Sequence, residues 1–358
     1  MKKKFIIIFL SLITINSYAQ DHLFSQSDLN MLFMNPAYAG FYPETRILIH
    51  DREQWLRING TPFNTSYFEL NTHLGSNRKS LLGRQGSIAM GLYLMSDWQD
   101  IVFKTNDIGI SISAINKLNN YFVHQLGLGF SFKHGSVNSN GLIFGDQLNY
   151  HNSNVAALDP QNLPLRTSYT SYPNPGAGYI VGFQYPKKVK RWTTIGFSGM
   201  NLFRNANKKS FNNTVYNVNP PRYYTHINHT EPFNSLTKET PIKAVNFFVR
   251  HMRQIEKLDR IELGMTLECK GDKWELIPGI VYRRSDAFDN RYMQESLIGI
   301  IRMKWTFRNN KKISINYSYD LNKSELTHIS SGSTHEMGIA LHLFTRNKSI
   351  CAGVCPAE

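Results

Sequence analysis

The chain has little cysteine, no second long apolar run and no sustained helical periodicity. Each absence removes a class of protein. Three cysteines in 358 residues are too few for a disulfide scaffold of this length. Cys351 and Cys355 lie close together in the tail and could bridge in an oxidising compartment. No further ligands at suitable spacing accompany them, so the tail does not read as a zinc site. Beyond the N-terminus nothing approaches the ~20 apolar residues of a membrane-spanning helix. Acids are also scarce, with 26 Asp+Glu against 40 Lys+Arg and a formal charge of +14. Such a balance favours an acidic or glycan-bearing partner, or anionic lipid headgroups. No nucleic-acid motif accompanies it, and export argues against that class.

Catalytic constellations are missing as well. His335-Glu336 begins like a zinc-protease motif, but Met337, Gly338 and Ile339 follow, so the second histidine is absent. Gly196-Phe197-Ser198-Gly199 breaks the serine-hydrolase elbow, because Met200 stands where its last glycine belongs. Gly176-Ala177-Gly178 opens a strand and not a helix, so it cannot cradle a phosphate as a dinucleotide fold does. The histidines show no metal spacing. The reading is a non-enzyme with no metal and no cofactor. A lipid-modifying barrel is the enzymatic alternative, since a triad need not be local in sequence.

What is present begins with an export signal. Met1-Lys2-Lys3-Lys4 is a positive n-region and Phe5 to Ile15 an apolar h-region. Ser17-Tyr18-Ala19 supplies the small residues of a cleavage site. Residues 1–19 are therefore expected to be a signal peptide, with Gln20 as the mature N-terminus.

The body is written in period two. Ser87 to Leu94 places Ile88, Met90, Leu92 and Leu94 on one face, with Ser87, Ala89, Gly91 and Tyr93 on the other. The same alternation recurs in DIGISISA from Asp107, QLGLGFSFK from Gln125, RIELGMTLE from Arg260 and ISINYSYDL from Ile313. With Leu142 to Tyr150 included, the count is about 14 strands, each near the length of a membrane β-strand. Aromatics at 13% suit interfacial girdles. A soluble sandwich would carry a charged outer face. Here the second face is Gly, Ser, Ala and Asn, as in a crowded or wet lumen. Glu336-x-Gly338-x-x-Leu341-x-Leu343, then Phe344, looks like the terminal signal of outer-membrane barrels. The expected fold is thus all-β: an antiparallel transmembrane outer-membrane barrel of about 14 strands. His134 to Pro175 and Arg204 to Pro241 read as long loops, and the basic run Lys187 to Arg191 as a hairpin rim.

One stretch does not fit this pattern. FSQSDLNMLFMNPAYAG, Phe24 to Gly40, is too apolar for a linker and is cut by Asn35-Pro36. Ser25 and Asp28 resemble a capping box, and Leu29, Leu32 and Phe33 would share one side of a short helix ended before Pro36. Residues 20–43 are expected to pack in or under the barrel as a plug-like segment. The barrel itself should span 44–345, and 346–358 should form a tail.

This stretch, with Phe24-Ser25-Gln26, then Asn35-Pro36-Ala37 and Gly40, then Arg52-x-Gln54-Trp55, resembles the N-terminal signature of the PorP/SprF family. The likeness resumes in Tyr317-Ser318-Tyr319-Asp320, Gly332, and His335-Glu336. Ser27-Asp28 departs from the family, where aromatic residues are expected. The resemblance implies an outer-membrane accessory protein of the type IX secretion system. Its expected partners are the C-terminal domain of a secreted surface adhesin, periplasmic ring or motor components, and outer-membrane lipid. The alternative is a porin, or a transporter of hydrophobic solutes of the fatty-acid-transporter kind. Alternation predicts Arg52 and Gln54 on the lumenal face and Trp55 outward.

Overall fold

The computed structural model describes residues 24–42, 44–54, 63–79, 85–99, 103–119, 121–138, 167–185, 191–202, 221–233, 242–254, 258–287, 292–307, 311–323 and 333–343. A short helix α1 (Met31–Met34) and a 3-10 turn (Pro36–Tyr38) precede the strands. These are β1 (Thr45–Gln54), β2 (Phe63–Lys79), β3 (Gln85–Gln99), β4 (Phe103–Lys117), β5 (Phe122–Asn138), β6 (Thr167–Gln184) and β7 (Trp192–Met200). They continue as β8 (Arg222–Pro232), β9 (Ile242–Gln254), β10 (Leu258–Lys270), β11 (Trp274–Ala287), β12 (Tyr292–Thr306), β13 (Lys312–Lys323) and β14 (Thr334–Leu343). Each pairs antiparallel with its sequence neighbours, and β1 closes on β14 from Thr45↔Leu343 to Glu53↔His335. Closure leaves the sheet without a free first or last strand, as lipid requires because it offers backbone groups no hydrogen bonds.

The two faces sort as the alternation predicts. Ile49 is 62% exposed and Leu128 64%, while Leu48 and Ala89 are fully buried. Ile88, Leu94, Ile108, Ile110 and Phe130 also point outward, whereas Ser87, Tyr93, Ser111, Ser113 and Ser131 are buried in the lumen. Exposed rings mark both ends of the apolar band. Trp98 and Tyr282 lie toward one end, and Tyr121, Tyr185, Phe233, Trp274 and Phe307 toward the other. Such girdles sit at headgroup level. Brominated lipid should therefore quench Trp98 and Trp274 in single-tryptophan variants, and spare Trp192, which is only 6% exposed. Equal quenching of all of them would contradict this placement.

The loop expectations need correction. β5 runs on to Asn138 and β6 begins at Thr167, so both ends of the stretch read as a loop from His134 to Pro175 are strand. β8 lies wholly inside the stretch from Arg204 to Pro241. It escaped notice because its buried face carries Arg222, Tyr224 and His226 instead of small residues. The proposed strand at 142–150 falls outside the described residues. Pro173 and Pro175 stand in β6 beyond Gly176, where pairing with β7 stops. A proline there costs no ladder bond on that side.

Connections at the end where β1 starts and β14 stops run from three to nine residues: 80–84, 118–121, 185–191, 233–241, 271–273 and 307–311. The longest, 139–166 and 201–221, lie at the opposite end.

A segment-filled lumen as the candidate functional site

The chain from Phe24 to Tyr42 lies inside the barrel. Its first residues meet strand positions near the long-loop end, and its last meet β2, β4 and β5 nearer the terminal end. Two chemistries divide it.

The upper part, Phe24 to Asp28, is held by buried charges. Glu336 on β14 accepts the Ser25 amide at 2.5 Å and the Gln26 amide at 2.9 Å. Arg52 on β1 pairs with the same carboxylate at 2.8 Å, and His50 Nε2 lies 3.5 Å from it. Asp320 on β13 accepts the Ser25 hydroxyl at 2.5 Å and an Arg283 Nη2 hydrogen at 2.6 Å. Arg283 also donates to Ser25 Oγ at 3.1 Å. Ser27 donates to Glu262 at 2.9 Å and accepts from Arg250 at 2.7 Å. Arg260 donates to the Phe24 carbonyl at 2.9 Å and pairs with Glu262. Carboxylates and guanidinium groups taken out of water are tolerable only when paired and hydrogen-bonded, and here they alternate around one stretch of peptide. The Phe24 ring sits 5.2 Å from His50 and 5.6 Å from Tyr67.

Ser25 and Asp28 do not form a capping box. The Ser25 hydroxyl is taken by Asp320, and Asp28 pairs with Arg302 on β12. Asn30 precedes α1 without a side-chain capping bond. Burial alone would raise the Asp28 carboxyl, but Arg302 and Arg250 outweigh it and hold it below its ordinary value. The departure at Ser27-Asp28 therefore has a role: both side chains answer arginines of the wall.

The lower part, Leu29 to Phe41, is apolar and closely fitted. Leu32, Phe33, Ala37 and Ala39 are at most 1% exposed. Leu29, Leu32 and Phe33 all pack in one cluster with Leu48, Tyr67 and Tyr93. Its carbonyls are capped from the wall. Arg46 reaches Leu29 O at 3.0 Å, Arg222 reaches Phe33 O at 2.7 Å, and Ser198 reaches Met34 O at 2.6 Å. Ser113 and Gln125 both donate to Ala39 O at 2.5 Å.

The Asn-Pro-Ala turn explains its own sequence. Asn35 Oδ1 accepts the Ala37 amide at 2.9 Å, while its Nδ2 donates to the Phe197 carbonyl of β7 at 3.3 Å. Pro36 stands at the start of the 3-10 turn, where no amide hydrogen is needed. Gly127 on β5 leaves room for the turn, since a Cβ there would strike the backbone of Ala37. Gly40 has φ of +66°, the left-handed region that favours glycine, and its amide donates to Asn71 at 2.5 Å. Gly127→Val should unseat this turn while the outer face stays intact. The check is a lower unfolding temperature at unchanged strand signal in circular dichroism. A variant as stable as the native protein would show that the wall yields at this point.

The candidate residues fall into three groups. Phe24, Ser25, Gln26, Arg52, Asp320 and Glu336 meet in the charged cradle. Asn35, Pro36, Ala37 and Gly40 line the tight wall, and Gln54 shares the lumenal side of β1 with Arg52. Tyr317, Tyr319 and His335 instead share the outer face. Tyr317 Oη lies 2.8 Å from His335 Nδ1, and the Tyr319 ring is 4.9 Å from that imidazole. His335 and Glu336 thus point to opposite sides of β14. Trp55 and Gly332 lie outside the described residues. Sequence reasoning missed Arg250, Arg260, Glu262, Arg283, Arg222 and His50. Parity alone could have placed Arg260 and Glu262 on the lumenal face, opposite Ile261 and Leu263.

Comparison with known proteins agrees with this architecture. No curated protein matches the chain by sequence. Among solved structures, a Pseudomonas aeruginosa FadL homologue superposes with a TM-score of 0.50 at 11% identity, covering 87% of this chain and 92% of its own. The CymD monoaromatic hydrocarbon channel gives 0.49 at 12% identity, covering 92% and 94%. The autotransporter NalP translocator domain from Neisseria meningitidis gives 0.39 at 10% identity, covering 88% and 95%. At these identities the likeness concerns the fold alone, that of outer-membrane barrels. The family model for the type IX secretion system membrane protein PorP/SprF matches residues 16–341. The chain belongs to the PorP/SprF family and is an outer-membrane component of type IX secretion.

Proposed function

We propose that the barrel is a closed adaptor that binds the C-terminal domain of particular exported adhesins and holds them at the cell surface. Its long-connection end is the cargo face, because long loops of outer-membrane barrels face outward and short turns face the periplasm. Periplasmic ring or motor components meet the short-turn end. The observation that supports this reading is the filled lumen: Phe24, Leu32, Phe33 and Ala39 are buried within it, which suits an adaptor better than an open water-filled pore. No covalent chemistry is required of it. Residues 1–19 are the export signal, and 20–43 the segment that enters the barrel.

Crosslinked pull-down from outer membranes is the direct test, with a surface adhesin and periplasmic machinery expected together. A deletion strain should lose surface display of one or a few adhesins and keep other type IX cargo. Exchanging residues 139–166 and 201–221 with those of a relative should move cargo preference and leave the barrel assembled. Normal display of every cargo in the deletion strain sinks the adaptor reading. A nutrient-uptake defect with adhesins intact favours a solute channel.

A further inference from the structure

We infer that the charged cradle around Phe24 to Ser27 is an exchangeable peptide site, with the protein's own N-terminal segment as resident ligand. An extended segment of the exported chain, an aromatic residue followed by hydroxyl residues, would replace it. The inference rests on the adaptor reading and names the chemistry by which such a protein would take hold of cargo.

The cradle recognises peptide backbone and hydroxyl groups more than one sequence. Glu336 reads two successive amides, and Arg260 reads a carbonyl. Asp320, Arg283, Glu262 and Arg250 read two serine hydroxyls spaced one residue apart. Between those serines, the buried side-chain amide of Gln26 meets no hydrogen-bonding group among the described residues. That position is tolerated and not selected. Phe24 is selected, by the ring cluster of His50, Tyr67 and Phe33.

The two halves of the segment differ in how readily they can leave. Withdrawal of Leu29 to Phe41 would bare an apolar groove, which water penalises. Withdrawal of Phe24 to Ser27 would bare one aromatic contact, that of the Phe24 ring with Phe33, His50 and Tyr67, and otherwise carboxylates and guanidinium groups, which hydrate well and already pair with one another. Arg52 keeps Glu336, Arg283 keeps Asp320, and Arg260 keeps Glu262. The upper half also carries no regular secondary structure. Its cradle lies toward the long-loop end, within reach of cargo arriving at the outer face.

The test uses the full barrel in nanodiscs and a labelled synthetic peptide, QDHLFSQSDL, the sequence of residues 20–29. A variant lacking residues 20–27 should bind the peptide saturably. The intact protein should bind it about tenfold more weakly, and so should Glu336→Gln in the truncated background. A scrambled peptide binding equally well overturns the inference, as does absence of binding by a truncated barrel that remains folded. A second measurement needs no truncation. In the intact protein the Ser25 and Gln26 amides should exchange hydrogen about a hundredfold faster than those of Asn35 and Tyr38. Equal protection of both halves means the upper part does not leave, and overturns the site. Adhesin display reads the adaptor role separately. Peptide binding without any cargo dependence sinks that role and spares the cradle.

Discussion

A planar bilayer holding the intact protein stays electrically silent, and one holding a variant without residues 24–40 carries ionic current. The expectation follows from what fills the lumen. Barrels of eight strands are filled by their own inward side chains, whereas those of 16–18 strands leave a water channel. A barrel of 14 strands lies between these, and here the gap is closed by chain. Phe24, Ser25, Gln26, Leu32, Ala37 and Ala39 are each wholly buried against the wall. Without them the lumen is lined by Arg46, Arg52, Arg222, Arg250, Arg260 and Arg283 with the carboxylates near them, beside the apolar groove of Leu48, Tyr67 and Tyr93. These groups favour water over a collapsed apolar core, so the emptied lumen should hydrate and conduct. Because the deletion begins after residue 23 and ends before β1, every strand ladder is retained. Steady conductance by the intact protein would refute the closed state and favour the solute-channel reading.

Replacing Glu336 should weaken both barrel closure and segment docking, because one carboxylate serves both. It lies on β14, pairs across the closing seam with Arg52 of β1, and accepts the Ser25 and Gln26 amides. Glu336→Ala leaves Arg52 buried without its nearest countercharge, a loss of about 3–5 kcal/mol. The folded, heat-modifiable band on a gel should then disappear at a markedly lower temperature. Replacing both partners separates the two roles. Arg52→Met with Glu336→Leu removes the stranded charge, and apolar replacement of a buried pair is often neutral. The double variant should recover much of the seam's heat resistance but not the protection of the Ser25 and Gln26 amides. If Glu336→Ala melts like the native protein, the carboxylate holds neither.

Particular residues show how far the sequence could be read. In β3, Ile88 and Leu94 alternate with Ser87 and Tyr93, and period two assigns the faces with no tertiary knowledge. In β8 the same rule failed, because Arg222, Tyr224 and His226 mimic a polar loop. Their large side chains are lumenal only because the segment is there to meet them. Tyr38 Oη lies 2.6 Å from His226 Nε2, and the Arg222 guanidinium lies over the Phe33 ring at 4.2 Å. Ser25 and Asp28 misled in the opposite direction. Their spacing fits a local cap, yet both side chains serve strands far away in sequence, Ser25 reaching Asp320 across 295 positions.

The sequence by itself determined the strand period, the lipid-facing side, the closed antiparallel class, the family and the break at Asn35-Pro36. These follow from short-range constraints: side-chain alternation, the fixed φ of proline and a few linear motifs. Tertiary structure alone decided which lumenal charges meet, that the segment lies within the barrel, and that Glu336 joins it to the closing seam. Parity places a charged residue on the lumenal face but leaves open which of the other strands supplies its partner. That choice is made when the ring closes and brings residues of β1, β9, β10, β11, β13 and β14 around one stretch of peptide.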